Sequence, residues 1–245
     1  MFSHEILTTH LAYAAVIAVL AGLTKGFAGF GGAMVMVPLL SFYFGPAQAV
    51  VTVTLLEGLA SLQLFPRAAP RTNWRRVGPL CLLTCLFVPV GIYALLNFEA
   101  DIMRRAIGAV VVGFALVMLS GWRYRGIPHV GATVGVGVTA GLLMGGTGIG
   151  GPPVIFYLLS GPEPAEQSRA SIISYFALTI AFMVVIFALY GAIDTITLWR
   201  AALLAAPFWI ATWIGNRLFA VASEATFRRV ALVCLLVIGS SAIVG

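Results

Sequence analysis

Two glycine-rich stretches interrupt otherwise apolar sequence, one in each half of the chain. They are Lys25–Met34 and Met144–Pro153. Glycine tolerates backbone angles that other residues avoid, so we predict unwound backbone across the five glycines between Gly145 and Gly151. Proline suits the first turn of a helix, so Pro152 and the proline after it predict that a helix restarts there. The N-terminal end of that helix would face the break, where its free backbone N–H groups attract anions.

The composition requires a membrane environment. With 61% hydrophobic and 9% charged residues, the 245-residue chain has too little polar surface to cover a soluble globule. Six apolar runs are long enough for a helix to cross a bilayer core: Ala47–Pro66, Val77–Leu96, Met103–Trp122, Ala170–Tyr190, Leu198–Leu218 and Thr226–Val244. We therefore predict an all-α integral membrane protein with several spans. Its predicted location is the cell membrane, of the bacterial inner-membrane type. The basic residues lie in loops between spans, which favours lipid and not nucleic acid as the partner.

The chain is an internal duplication. At an offset of 119 residues, five glycines of the first half align with five of the second. We divide the chain into two homologous repeats, 1–122 and 123–245, each with four segments, which together form one transmembrane domain. A duplication with a break in both halves is typical of secondary transporters, whose substrate site lies where the two breaks meet near the midplane.

Each repeat opens with a glycine-broken helix pair. In the first repeat the arms Leu11–Thr24 and Ala33–Phe44 reach only about 18–21 Å, which is short of a bilayer core about 30 Å thick. We predict re-entrant hairpins, leaving three full spans per repeat, so that the two repeats are inverted and both termini lie outside. This topology places ten arginines on one side and three on the other, as the positive-inside rule favours. The alternative is that each arm is a short, tilted full span.

Two ionisable residues are predicted to lie within the membrane. Lys25 is the only lysine of the sequence and lies in the first break, and Glu57 lies halfway along a span. An ionisable group at that depth costs about 2.5–3.5 kcal/mol on insertion scales, which favours a functional interpretation. We interpret Lys25 as the partner of an anion and Glu57 as a proton carrier or a fixed counter-charge. The alternatives are a purely structural ion pair, or a lysine that extends to the membrane surface.

The predicted site combines these two residues with the backbone of both breaks. The predicted substrate-binding residues are Lys25, Gly29, Gly31, Gly32, Thr147, Gly148, Gly150 and Gly151. The predicted polar lining is Thr54, Ser61, Ser171, Ser174 and Tyr175. We expect no metal, no cofactor and no enzymatic activity, because the histidines are scattered and the cysteines lie away from the breaks. A homo-oligomer is left open.

The glycine motifs resemble those of the sulfite exporter TauE/SafE family. The stretches Gly22–Gly32 and Gly141–Gly151 both follow the pattern Gly-x-x-x-Gly-x-x-Gly-x-Gly-Gly, and the resemblance covers nearly the whole chain. It implies a transporter that moves sulfite, sulfoacetate or a related sulfonate, in many members with proton coupling. Sulfate, thiosulfate, a carboxylate or chloride would suit the same positive field. An anion channel is the alternative from another class, and a sulfur-handling membrane enzyme is a weaker one.

Overall fold

The protein is all-helical over the residues that its computed structural model describes. These residues are 2–28, 31–120, 129–160 and 163–218, together with 236, 239–240 and 242. Within those four long ranges the chain forms nine α-helices and one 3-10 turn, and no strand. They are α1 (Phe2–Ala28), α2 (Gly32–Phe44), α3 (Pro46–Ala68), the turn Ala69–Arg71, α4 (Trp74–Asn97), α5 (Ala100–Leu119), α6 (Val130–Thr147), α7 (Gly151–Leu159), α8 (Ala165–Leu189) and α9 (Thr195–Leu218).

Several of these helices have the length and hydropathy of membrane spans. Five of the described helices qualify directly, namely α4, α5, α6, α8 and α9. A sixth span is obtained if the bent pair Pro46–Ser61 and Leu64–Arg71, with 47° between its parts, is counted as one crossing. The prediction of an all-α, multi-pass membrane protein is therefore confirmed. The predicted span Thr226–Val244 falls almost entirely outside the described residues, as does the predicted boundary between the repeats.

The interrupted segments differ in detail from the sequence prediction. Helix α1 has 27 residues, but its apolar part, Leu11–Gly26, is too short to qualify as a membrane span, in agreement with the predicted arm Leu11–Thr24. Helix α6 has 18 residues and qualifies as a membrane span, so it is longer than the short arm that the sequence predicts. The second arms are short, with 13 residues in α2 and 9 in α7. Gly145 and Gly146 are helical, so the second break is confined to residues 148–150.

Glycines allow close contacts between helices in the described part of the chain. A Cβ atom at Gly141 of α6 would lie 2.5 Å from the carbonyl oxygen of Thr84 in α4. A Cβ atom at Gly22 of α1 would likewise lie 2.5 Å from the carbonyl oxygen of Phe208 in α9. Only glycine permits such an approach of two helix backbones. Helices α6 and α4 are therefore packed in the same way as α1 and α9, and Gly22 and Gly141 are repeat-equivalent at the offset of 119.

The two arms of each broken pair run antiparallel. Tyr13 in the first half of α1 stacks on Tyr43 at the end of α2, with 5.8 Å between the ring centroids. Near the start of α6, the hydroxyl oxygen of Thr133 lies 2.6 Å from that of Tyr157, near the end of α7. The chain therefore folds back at each break. In each pair, the outer ends of the two helices therefore lie side by side, and the glycine break lies at the opposite end.

Candidate functional site

A cavity of about 110 Å³ lies against both glycine breaks. By this measure it has room for several water molecules, since one requires about 10–15 Å³. The predicted site residues that line it are Lys25, Gly31, Thr54, Glu57, Ser61, Gly148, Gly150 and Gly151. The fold thus brings eight predicted residues, drawn from both repeats, to one cavity.

The charged part of the cavity is an ion pair between Lys25 and Glu57. The Lys25 ammonium group, in the last turn of α1, donates a hydrogen bond to Oε2 of Glu57, in the middle of α3. The two side chains are only 13% and 15% exposed. The Lys25 Nζ also lies 5.6 Å from the ring centroid of Phe208, within the range of a cation–π contact. Removal of one partner would leave the other charge buried without compensation, which is strongly destabilising.

Glycines at the first break allow the Glu57 carboxylate to lie close to the N-terminus of α2. Gly31 has φ +94°, a left-handed conformation that favours glycine, and it caps the N-terminus of α2. A Cβ atom at Gly32 would lie 2.7 Å from Oε1 of Glu57, so a larger residue would displace the carboxylate. The positive end of α2 therefore lies next to the Glu57 carboxylate. Gly32 is beside the cavity but does not line it, and Gly29 is outside the described residues.

The second break ends one helix and starts the next within three residues. Gly148, with φ +69°, ends α6, and Gly150 is the N-cap of α7. The prediction that Pro152 and its neighbour restart a helix is confirmed, because prolines occupy the first turn of α7. A Cβ atom at Gly150 would lie 2.6 Å from the carbonyl oxygen of Ala140. The tight turn thus brings the N-terminus of α7 to the cavity wall.

Thr147 does not line the cavity, and its side chain instead hydrogen-bonds to the backbone at the end of α6. Its hydroxyl donates a hydrogen bond to the carbonyl oxygen of Leu143, at 2.7 Å. The same oxygen accepts a hydrogen bond from the backbone N–H of Ile149, at 3.3 Å. The side chain therefore satisfies backbone groups at the end of α6, as a capping residue does.

The polar residues of α8 lie away from the cavity. The Ser174 hydroxyl oxygen is 2.7 Å from that of Thr72, and Ser171 accepts a hydrogen bond from the backbone of Asn73. The Tyr175 hydroxyl is fully buried, 2.9 Å from the Thr84 hydroxyl oxygen. The predicted polar lining from Ser171, Ser174 and Tyr175 is thus corrected, because these side chains bind the turn after α3 and helix α4.

Apolar side chains of α8 take that place in the cavity wall. They are Ile172, Ile173, Phe176, Ile180 and Met183. These apolar residues are missing from the predicted site, which was chosen from polar residue types. The repeat alignment could have indicated Phe176, because it is equivalent to Glu57 at the offset of 119.

Known proteins that resemble the chain identify its family. The family model described as Sulfite exporter TauE/SafE matches residues 14–242. The chain belongs to this family. A TauE/SafE relative from Cupriavidus necator, named a probable sulfite/organosulfonate exporter TauE, is 30% identical over 219 residues, which are 87% of this chain and 86% of that protein. No solved structure matches the chain. The resemblance inferred from the glycine motifs is confirmed, and membership in TauE/SafE makes the protein a membrane transporter.

Proposed function

We propose that the protein is a secondary transporter that exports sulfite or a related small organosulfonate across the cytoplasmic membrane. The observation that carries this proposal is that the sole lysine of the chain and both glycine breaks line one cavity. The relative from Cupriavidus necator, whose name refers to sulfite and organosulfonates, supports the same substrate class. In this proposal the cavity is the anion site, with Lys25 and the N-terminal ends of α2 and α7 as its positive groups.

The charge balance of the cavity favours proton coupling. Lys25 and Glu57 neutralise each other in the structure. An entering anion would add an uncompensated negative charge to a site of low dielectric constant. A proton on Glu57 would restore neutrality and release the Lys25 ammonium group to the anion. We propose that one proton accompanies each anion charge in this way.

Inverted repeats are supported by the way α3 packs against α8, its repeat equivalent. Thr72, just after α3, contacts Ser174 in the first half of α8. A Cβ atom at Gly58, in the middle of α3, would lie 3.3 Å from the side chain of Ile180, further along α8. The two helices therefore run antiparallel. A pseudo-two-fold axis in the membrane plane makes repeat-equivalent helices run in opposite directions.

Re-entrant hairpins are supported by the lengths of the returning arms. At 1.5 Å per residue, α2 and α7 extend over only about 20 Å and 14 Å, less than the roughly 30 Å of a bilayer core. Because α1 runs antiparallel to α2, and α6 to α7, each pair would return to the side where it began. We propose hairpins that reach the midplane, beside Glu57 in α3 and Phe176 in α8.

Thiol labelling from each side of the membrane tests this topology. Arg71 ends the turn after α3, Tyr190 directly follows α8, and both are exposed, so the proposed inversion places them on opposite sides. An impermeant maleimide should label Arg71→Cys from the cytoplasmic side and Tyr190→Cys from the outer side. Labelling of both variants from the same side would contradict inverted repeats.

Transport by purified protein in proteoliposomes tests the function. We expect flux of labelled sulfite and small organosulfonates that is accelerated by a pH gradient, with sulfate and thiosulfate as competitors. Glu57→Gln keeps the shape of the side chain but cannot change its charge, so it should flatten the pH dependence while anion binding remains measurable. Flux that follows the membrane potential and ignores the pH gradient would instead indicate an anion channel. Absence of flux for every sulfur-containing anion would contradict the proposal.

A further inference from the structure

The two walls of the cavity differ in polarity. Among the residues that the structure describes, the polar side chains that line it all belong to the first repeat: Lys25, Thr54, Glu57 and Ser61. In the described part of the second repeat, the lining side chains are apolar, and the remaining contribution is the bare backbone of the glycine break. A bound molecule would therefore meet charge and hydroxyl groups among apolar side chains on the first-repeat side, and hydrocarbon with bare glycine backbone on the other.

Phe176 occupies the position that the carboxylate has in the first repeat. Glu57 lies against Gly32 at the start of α2, and Phe176 lies against Gly151 at the start of α7. Both pairs are equivalent at the offset of 119. The distance from a Cβ at Gly151 to Cζ of Phe176 would be 3.1 Å, so the ring closely covers the first turn of α7. The glycine at the start of the second arm therefore contacts a carboxylate in the first repeat and an aromatic ring in the second.

The ring of Phe176 is held in place by its neighbours. It packs edge-on against the ring of Tyr175, with 5.4 Å between the centroids and 79° between the planes. Tyr175 is fully buried, and its hydroxyl group is held by Thr84. A ring braced by a hydrogen-bonded residue moves less readily than a free one, so it presents a fixed boundary to the cavity.

We propose that Phe176 is a specificity-determining residue that limits the apolar part of the transported anion. This inference rests on the proposed function. The charged head of the anion binds Lys25 and the N-terminal ends of α2 and α7, and its hydrocarbon part lies on the wall that the apolar side chains of α8 form. Phe176 closes that wall at the level of Gly151. Anions with a short hydrocarbon part therefore fit, and longer ones collide with the ring.

The test is a chain-length series measured in proteoliposomes. Sulfite and the linear alkanesulfonates from methane- to hexanesulfonate compete with the uptake of labelled sulfite, in the wild-type protein and in Phe176→Ala. In the wild type, affinity should rise with the first methylene groups and then fall. In Phe176→Ala, affinity should continue to rise for two or three more methylenes, by about fourfold for each. Leu178→Ala, at an exposed position of the same helix that does not line the cavity, should keep the wild-type profile.

The outcomes separate this inference from the proposed function. A wild type that transports sulfite, with a chain-length profile unchanged in Phe176→Ala, would overturn the role of Phe176 and leave the proposed function standing. A wild type that neither transports sulfite nor is inhibited by any sulfonate would overturn both. If Phe176→Ala does not fold, Phe176→Leu provides the same comparison with a smaller shift of the optimum, and an unchanged profile in that variant would again overturn the inference.

Discussion

Replacing Lys25 with methionine is expected to lower the affinity for the transported anion by about 10- to 100-fold. A charge-assisted hydrogen bond contributes roughly 1.5–3 kcal/mol, and each 1.4 kcal/mol corresponds to about a factor of ten in affinity. Methionine is the natural choice because Met144 occupies the equivalent position of the second repeat and lines the same cavity. The affinity is measured as the anion concentration that gives half-maximal competition with labelled sulfite.

Two further variants separate binding from folding. Lys25→Met alone leaves the buried Glu57 carboxylate without a partner, a change that costs about 3–5 kcal/mol of stability when an ion pair is buried. The double variant Lys25→Met with Glu57→Gln removes both charges, so it should recover stability but not affinity. Lys25→Arg keeps the charge and should retain most of the binding. Normal affinity in Lys25→Met would show that backbone groups alone hold the anion.

Replacing Gly141 with valine is expected to prevent the protein from folding. A Cβ atom there would lie 2.5 Å from the carbonyl oxygen of Thr84 and 2.9 Å from Cβ of Phe87. Over-packing costs about 1–3 kcal/mol where side chains can move. Here the nearest atom belongs to the backbone of α4, so the two helices would have to separate. We expect aggregated protein after detergent extraction, measured by size-exclusion chromatography.

A valine at Gly135 is the matched control. Gly135 lies on the same helix, and nothing lies within 4 Å of a Cβ atom built there. Gly135→Val therefore has the same effect on helix propensity without the contact with α4. It should elute as a single peak with a melting temperature near that of the wild type. If Gly141→Val behaved in the same way, the close packing of α4 and α6 would be contradicted.

The repeat pattern predicted the central part of the structure. The alignment of the two glycine motifs placed both breaks in equivalent positions, and the structure brings them to one cavity. The burial of Lys25 and Glu57 as a pair could be predicted, because an ionisable residue within an apolar run is stable in the membrane mainly when a partner compensates its charge. Their direct contact is the ion pair that the sequence left as an alternative, and it follows from α2 folding back on α1.

The apolar half of the cavity could not be predicted from residue types. An isoleucine or phenylalanine in a membrane span can face lipid, another helix or a cavity, and its sequence context looks the same in each case. For α8, the serines and the tyrosine suggested the wrong face, because their hydroxyl groups satisfy the turn after α3 and helix α4. For Gly145, the four-residue spacing from Gly141 predicts close helix packing, and this is confirmed because a Cβ atom there would collide with the carbonyl oxygen of Val88 in α4. Its assignment to the break is wrong, because it is helical.

Protection of a cysteine in the cavity by substrate tests whether the anion binds between the two glycine breaks. Ser61 lines the cavity on the polar wall, so Ser61→Cys introduces a thiol there with little change in volume. The background is the variant with Cys81→Ala, Cys85→Ala and Cys234→Ala, and the reagent is a small neutral maleimide. Ethanesulfonate serves as the protecting anion, because sulfite itself consumes thiol reagents. Glu99→Cys, at an exposed position outside the cavity, is the control.

We predict that ethanesulfonate slows the labelling of Ser61→Cys in a saturable manner and leaves the labelling of Glu99→Cys unchanged. Addition of Lys25→Met should raise the half-protecting concentration by about 10- to 100-fold. If the protein transports ethanesulfonate while the labelling of Ser61→Cys proceeds at the same rate with and without it, the anion does not occupy the cavity between the two glycine breaks, and the account is contradicted.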